Sequence, residues 1–243
     1  MFELKVKEPV DFYEHCYSEY FIEKFPTNFF DTYIDIGCCG TLHKWHINHI
    51  GNDNPSTKCI GFEPEEKSFN LINDVCKNLE NVFLEQSFFG RDISLSKLVE
   101  KYNIDTDKNW CFSCDCEGDE KYIFNNDSEM EILKTASHIC FELHPKHSNI
   151  SHKEFIEKIK QNFNDTHKIV TTYLGNNLHN PYYHDRLCGT NNFSIIIVKK
   201  EIFDIHLKEK LKNLKYNFDN ELNMMVNDNG NIKRTEHSII YLN

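Results

Sequence analysis

The chain has 243 residues, enough to bury a substantial core as one domain with an appendage, and its 40% hydrophobic and 27% charged content is ordinary for a globular protein. A formal net charge of −11 sets the surface against phosphate, which excludes nucleic acid from the expected partners and leaves room for a local basic pocket. No apolar run is long enough to span a bilayer, no basic start precedes an apolar signal core, and several of the ten cysteines sit in strand-like runs, so a cytoplasmic protein with reduced thiols is expected.

Residues 9 to 25 carry aromatic residues near helical spacing, which predicts a helical lid within an N-terminal segment, 1–30. Short apolar runs then alternate with helical patterns. TYIDI (32–36) runs into glycines and precedes a helix over 41–50. KCIGF (58–62) precedes a helix over 65–79, and NVFLE (81–85) one over 94–102. WCFSC (110–114) precedes a helix over 128–136, and HICFEL (138–143) one over 152–163. Such alternation predicts βαβ units and a doubly wound, mainly parallel α/β sheet covered on both faces. KIVTTYL (168–174) and NFSIIIVKK (192–200) have only a polar loop between them, so they are expected to pair antiparallel at the end of the sheet. A lysine-rich helix over 204–216 and a hairpin around NDNGN (227–231) follow. The expected division is one domain, 1–200, with 201–243 as an extension packed on it.

In a doubly wound sheet a ligand sits at the carboxyl ends of the strands, by the turn after the first one. That turn reads DIGCCG, residues 35–40. A dinucleotide fold wants Gly-x-Gly-x-x-Gly, so that peptide N–H groups hold a pyrophosphate. Here the middle glycine is missing and Asp35 brings a carboxylate to the turn, which suits a cofactor with ammonium and sulfonium charges, S-adenosylmethionine. Glu63, ending the second strand in GFEPEE, is placed to accept hydrogen bonds from a ribose diol. Either feature alone fits a plain strand-to-helix connection; together they define a nucleoside pocket. Zinc is disfavoured, because the Cys-x-x-Cys in CFSCDC has no second pair and a strand sends its members to opposite faces. His43, His46 and His49 fall at helical intervals and are expected on a solvated face.

YIDIGCCG, CIGFEPEE, NVFLEQSFFG, CFSCDCEGDEKYIF and ICFELH occur in order over roughly residues 30 to 200. In this order and spacing they resemble the motifs of FkbM-type S-adenosylmethionine-dependent methyltransferases. The resemblance implies a seven-stranded, Rossmann-like class I methyltransferase fold and methyl transfer to oxygen, with sugar hydroxyls of polysaccharides, glycolipids or antibiotics as acceptors. Ser113 stands where a lysine is common, and Cys38–Cys39 replace smaller residues; neither change removes a group the cofactor needs. The cofactor residues so expected are Asp35, Gly37, Gly40, Glu63, Gln86, Ser87 and Asp115.

Methyl transfer is an in-line displacement, and a sugar hydroxyl needs a general base or a metal to make it nucleophilic. CDCEGDE ends the fourth strand with Asp115, Glu117 and Glu120, and FELHPKH ends the fifth with Glu142 and His144. Asp115 and His144 are the expected reactive pair, with Glu142 orienting or coordinating. Asp115, Glu142 and His144 also suit Mg²⁺ or Mn²⁺, as a secondary reading. Acceptor binding is assigned to Glu117 and to the loop NNLHNPYYHDRLCGTNN, where Tyr183 and His184 precede Arg186, one of only three arginines. The expected function is an O-methyltransferase acting on a nucleotide-linked sugar or glycan precursor, in a monomer or homo-oligomer. Two alternatives stand beside it, a nicotinamide-dependent oxidoreductase and a catalytically silent methyltransferase-like binding module.

Overall fold

The most apolar runs become the central strands, because only a strand covered on both faces tolerates five consecutive buried residues. Thr32–Ile36 (β1) and Trp110–Cys114 (β4) are buried at every position. In a computed structural model, residues 22, 25–41, 46–172, 193–208, 225–226, 232–233 and 239–241 are described. Around β1 and β4 lie Lys58–Phe62 (β2), Val82–Glu85 (β3), His138–Leu143 (β5), His167–Thr172 (β6) and Phe193–Lys199 (β7). The described helices are Ile47–Asp53 (α1), Glu66–Cys76 (α2), Leu95–Lys101 (α3), Lys121–Phe124 (α4), Asp127–Leu133 (α5), Pro145–Ser148 (α6), His152–Phe163 (α7) and Lys200–Ile202 (α8). Met225–Val226 (β8) and Ile232–Lys233 (β9) pair antiparallel on either side of residues 227–231, and Ile239–Tyr241 is β10.

The sheet runs β10-β6-β7-β5-β4-β1-β2-β3. Strands β3, β2, β1, β4 and β5 are mutually parallel, and β7 lies antiparallel between β5 and β6. This is the α/β, Rossmann-like arrangement expected of a class I methyltransferase, with one addition. An eighth strand, β10, pairs antiparallel with β6 and covers what would otherwise be an open edge. The apolar run SIIYL was its sequence signal.

Alternation along the strands builds two cores. Ile34, Phe62, Phe112, Cys114 and Phe141 face α3, α5 and α7 through Leu98, Leu133 and Phe155. Tyr33, Cys59, Cys111 and Cys140 share the other core with Ile47, Ile72, Phe25, Phe30 and Phe203. Cys111 and Cys114 therefore lie on opposite faces, as the strand period requires. Helix starts carry their own caps where the sequence supplies them: Ser94 accepts from Lys97, Asn126 from Ser128 and Ser151 from Glu154. The helix expected over 41–50 is seen from Ile47, after an extended His46; residues 42–45 lie outside the described residues. Past β7 the chain turns directly into α8 and a π-helical turn, Phe203–Leu207. Residues 1–21, which include most of the expected lid, fall outside the described residues.

Candidate active site

Register fixes where the functional residues meet. Ile36 pairs with both Phe62 and Cys114, and Cys114 pairs with Phe141. One residue further along each parallel strand, the carboxyl edge of the sheet therefore reads Glu63, Gly37, Asp115, Glu142. Four sequence-predicted residues from four separate segments share one row.

Asp35 sits just below this row and is buried. Its carboxylate accepts the Ile47 N–H at the start of α1. The helix is thus capped from β1, since its own N-cap residue, His46, makes no side-chain cap. The second oxygen, Oδ2, is buried with no hydrogen-bond partner among the described residues. Burial, offset in part by Ile47 and reinforced by Glu63, pushes this acid up to about 7.

The turn itself depends on glycine. Gly37 has φ +82°, and a Cβ there would lie 1.8 Å from the Asp115 carbonyl oxygen. The turn and the end of β4 therefore touch backbone to backbone, tied also by the Asp115 N–H to the Ile36 carbonyl at 2.9 Å. The N–H groups of Gly37 and Cys38 both donate to the Phe62 carbonyl, at 2.9 and 3.2 Å. Those two donors are used inside the fold, so this turn is not built to cradle a pyrophosphate. Gly40 lies under the His46 ring, 2.0 Å from where its Cβ would stand. His46 and His49 are half-buried, and His49 Nε2 is 2.9 Å from the Thr41 carbonyl. They brace the turn and do not form the solvated face expected of them; His43 lies outside the described residues.

Glu63 is buried, and its Oε1 accepts the Glu65 N–H at 2.8 Å. Burial raises its pKa. Cys39 is exposed at the turn, yet loss of water and then Glu63, Asp115 and Asp35 together push its thiol up to about 11. The three carboxylates thus lie near one side chain at the carboxyl edge of the sheet. Past β3, Gln86 is exposed while Ser87 holds a buried Oγ with no hydrogen-bond partner among the described residues.

The second half of the site centres on His144, which is 1% exposed. Its backbone carbonyl accepts from the His147 and Ser148 N–H groups of α6, fixing the residue as the hinge between β5 and that single turn. Nδ1 is 2.8 Å from Oε1 of the fully buried Glu120. Nε2 faces three further carboxylates: Asp115 Oδ1 and Glu117 Oε2 at 3.5 Å, and Glu142 Oε1 at 3.8 Å. Burial opposes charge on the ring, but the bond to Glu120 and the fields of Asp115 and Glu142 win, pushing the imidazolium up to about 9. Burial and Glu142 raise the Asp115 carboxyl well above its usual range, against the opposing pull of His144.

Backbone geometry brings Glu117 here. It adopts a left-handed φ of 53°, uncommon for a residue with a side chain. The next residue, Gly118, has φ +108°, and a Cβ on it would meet His147 Cβ at 2.5 Å. This glycine lets the loop after β4 press on α6, so His147 Nδ1 comes within 3.4 Å of Glu117 Oε2. The buried support from Glu120 and the presence of His147 were not assigned from sequence. The spacing HPKH, one helical turn between histidines, was the available signal for the latter. Tyr183, His184 and Arg186 lie outside the described residues.

Among the described residues, two sets of side chains could hold a metal ion: Asp115, Glu117 and His144, and a buried set of Cys111, His138 and Cys140. In the first, Glu117 takes the place the sequence reading gave to Glu142. The second forms across β4 and β5 in the opposite core, where Phe25 packs edge-on against the His138 ring at 5.1 Å.

No protein-family model matches the chain, and no curated protein matches it. Solved structures are similar to it at low identity. A Clostridium thermocellum protein assigned as an rRNA methylase is 17% identical over 81% of this chain and 100% of its own, with a TM-score of 0.48. The METTL16 MTase domain is 12% identical over 71% and 60%, with a TM-score of 0.46. StiE O-MT is 12% identical over 74% of each chain, with a TM-score of 0.41. At such distances the functional reading stands on the residues of this chain. Among the described residues, no helix is long and apolar enough to cross a membrane.

Proposed function

We propose that the protein is an S-adenosylmethionine-dependent O-methyltransferase of the FkbM type, acting on a sugar hydroxyl of a nucleotide-linked sugar or glycan precursor. The observation that carries this reading is the row Glu63, Gly37, Asp115, Glu142 beside a turn whose Gly37 and Cys38 N–H groups are already used. An anionic dinucleotide would meet carboxylates there, and neither of those two N–H groups would be free to receive it. A cofactor with a ribose diol, an ammonium and a sulfonium meets complementary charge.

When bound, S-adenosylmethionine supplies a methyl group on positively charged sulfur. Glu63 accepts hydrogen bonds from the ribose hydroxyls, and its Oε1, already bonded to Glu65, is held in place to do so. Asp35 offers its unpartnered Oδ2 to the ammonium, and Ser87 its Oγ to the adenine edge. A carboxylate of the cluster around His144 takes the acceptor's proton and leaves the acceptor oxygen nucleophilic, beside the place where the methyl group of a bound cofactor would lie. Glu117 stands at the mouth of this cluster, its side chain 72% exposed, where an acceptor hydroxyl would arrive. Arg186 holds an acceptor phosphate in this reading, with Tyr183 packed on its ring and His184 beside it.

The test is direct. Pure protein incubated with S-adenosylmethionine and a panel of nucleotide-activated sugars should yield one product heavier by a single methyl group in mass spectrometry. Cofactor binding with no methylated product from sugars, and product from RNA or a small amine in the same assay, would replace the acceptor class.

A further inference from the structure

The cluster around His144 has more negative charge than its own residues neutralise. Asp115, Glu117, Glu120 and Glu142 converge on one imidazole, with His147 at the rim. A group of acids alone would be no site. Here a second feature points to a ligand: His144 is 1% exposed, and its Nε2 is buried with no hydrogen-bond partner among the described residues, aimed into the acids. Asp115 Oδ1 is likewise buried and unpartnered.

We propose that Asp115 Oδ1, Glu117 Oε2 and His144 Nε2 form a binding site for one divalent cation, Mn²⁺ in preference to Mg²⁺, at the acceptor side of the pocket. The three atoms lie within 4.8 Å of one another, and His144 Nε2 is 3.5 Å from each oxygen. Metal bonds of about 2.1 Å set neighbouring ligand atoms roughly 3 to 3.5 Å apart, so a small closing movement of exposed Glu117 completes the face. The support behind His144 has the form a metal ligand needs. A histidine that binds a metal through one nitrogen donates the other N–H to a carboxylate, which fixes tautomer and ring plane. The Nδ1 contact to buried Glu120 at 2.8 Å supplies that arrangement, and the cation takes the place of the proton that Nε2 carries without it, which is released to solvent. One imidazole with two carboxylates favours a borderline ion; Mg²⁺ prefers oxygen alone.

Three protein ligands on one side leave the opposite positions for water or an acceptor hydroxyl. The inference rests on the proposed reaction and deepens it: an acceptor hydroxyl at one of those positions would be made more acidic by a bound cation and would give its proton to Glu142, which flanks the site without being a ligand. Glu117 in its left-handed backbone is then explained, since that conformation turns a surface carboxylate toward the buried imidazole.

The experiment needs neither methyl donor nor acceptor, so it stands apart from the methylation assay. Chelator-treated protein is titrated with Mn²⁺ and followed by electron paramagnetic resonance, with spin-echo detection of nitrogen coupled to the ion. One Mn²⁺ per chain with a nitrogen coupling is expected. Glu117→Gln, a surface change that leaves the core intact, should weaken binding at least tenfold, and His144→Gln should abolish the nitrogen coupling. Mn²⁺ bound without nitrogen coupling, bound equally by Glu117→Gln, or not bound at millimolar concentration overturns the site.

Discussion

Asp35 offers the sharpest quantitative test of the cofactor pocket. Burial holds its acid at about 7 in the folded chain against an ordinary value of 3.8. The sign follows from where each state gives up its proton. Between pH 4 and 7 the unfolded chain has lost the proton and the folded chain keeps it, so rising pH favours unfolding throughout that window. Above pH 7 both states are ionised and the cost stays constant. A difference of about 3 pH units corresponds to roughly 4 kcal/mol at 1.36 kcal/mol each, as an upper bound. Asp35→Asn keeps an oxygen for the Ile47 N–H and removes the titration. Urea unfolding of both proteins from pH 4 to 7.5 should therefore show the wild type losing stability relative to Asp35→Asn by up to that amount. An ammonium placed at Oδ2 needs the ionised form, present in about a tenth of molecules at pH 6 and nine-tenths at pH 8. Calorimetric affinity for S-adenosylhomocysteine should rise about tenfold over that range in the wild type and stay flat in Asp35→Asn. A stability difference independent of pH would refute the buried, proton-holding acid, and an affinity that does not change from pH 6 to 8 would remove Asp35 from the ammonium.

Glu63→Ala should weaken S-adenosylhomocysteine binding by roughly 2–3 kcal/mol through the lost ribose hydrogen bonds, read by calorimetry; wild-type affinity would move the ribose elsewhere. Gly37→Ala should destabilise the fold by at least 2 kcal/mol, since a left-handed φ and a 1.8 Å approach to the Asp115 carbonyl both forbid a Cβ. Gly40→Ala has no left-handed φ to strain, and the three atoms nearest its Cβ belong to the His46 side chain and not to backbone, so its urea midpoint should fall less. Arg186→Ala should raise the Michaelis constant for the acceptor and make the reaction less sensitive to salt while cofactor affinity holds; unchanged acceptor kinetics would shift recognition away from that loop.

Local pattern was enough to find the strands. TYIDI, KCIGF, WCFSC and HICFEL begin and end in the fold where their apolar runs do, because a buried strand is written as a continuous stretch and the glycines and charges beside it mark its ends. With the strands came the carboxyl edge, and so Asp35, Glu63, Asp115, Glu142 and His144 could be placed on one side of a sheet before any contact was known. The start of α1 was not legible, since its cap is Asp35 on another element and not a residue of the helix sequence. Nor was the pairing of β10 with β6, which depends on where the chain returns.

Only the tertiary structure decided which acid serves which purpose. Asp115, Glu117 and Glu120 stand within six residues of one another and look alike as sequence. In the fold Glu120 is fully buried against His144 Nδ1, 24 residues away, Glu117 reaches the opposite nitrogen from the surface, and Asp115 lies over the backbone of Gly37. The physical reason is that composition and spacing report how often a chain turns and what it buries, whereas the direction of a side chain past the end of a strand depends on individual backbone angles. Here those are the left-handed angles of Glu117 and Gly118, set by the close contact of their loop with α6.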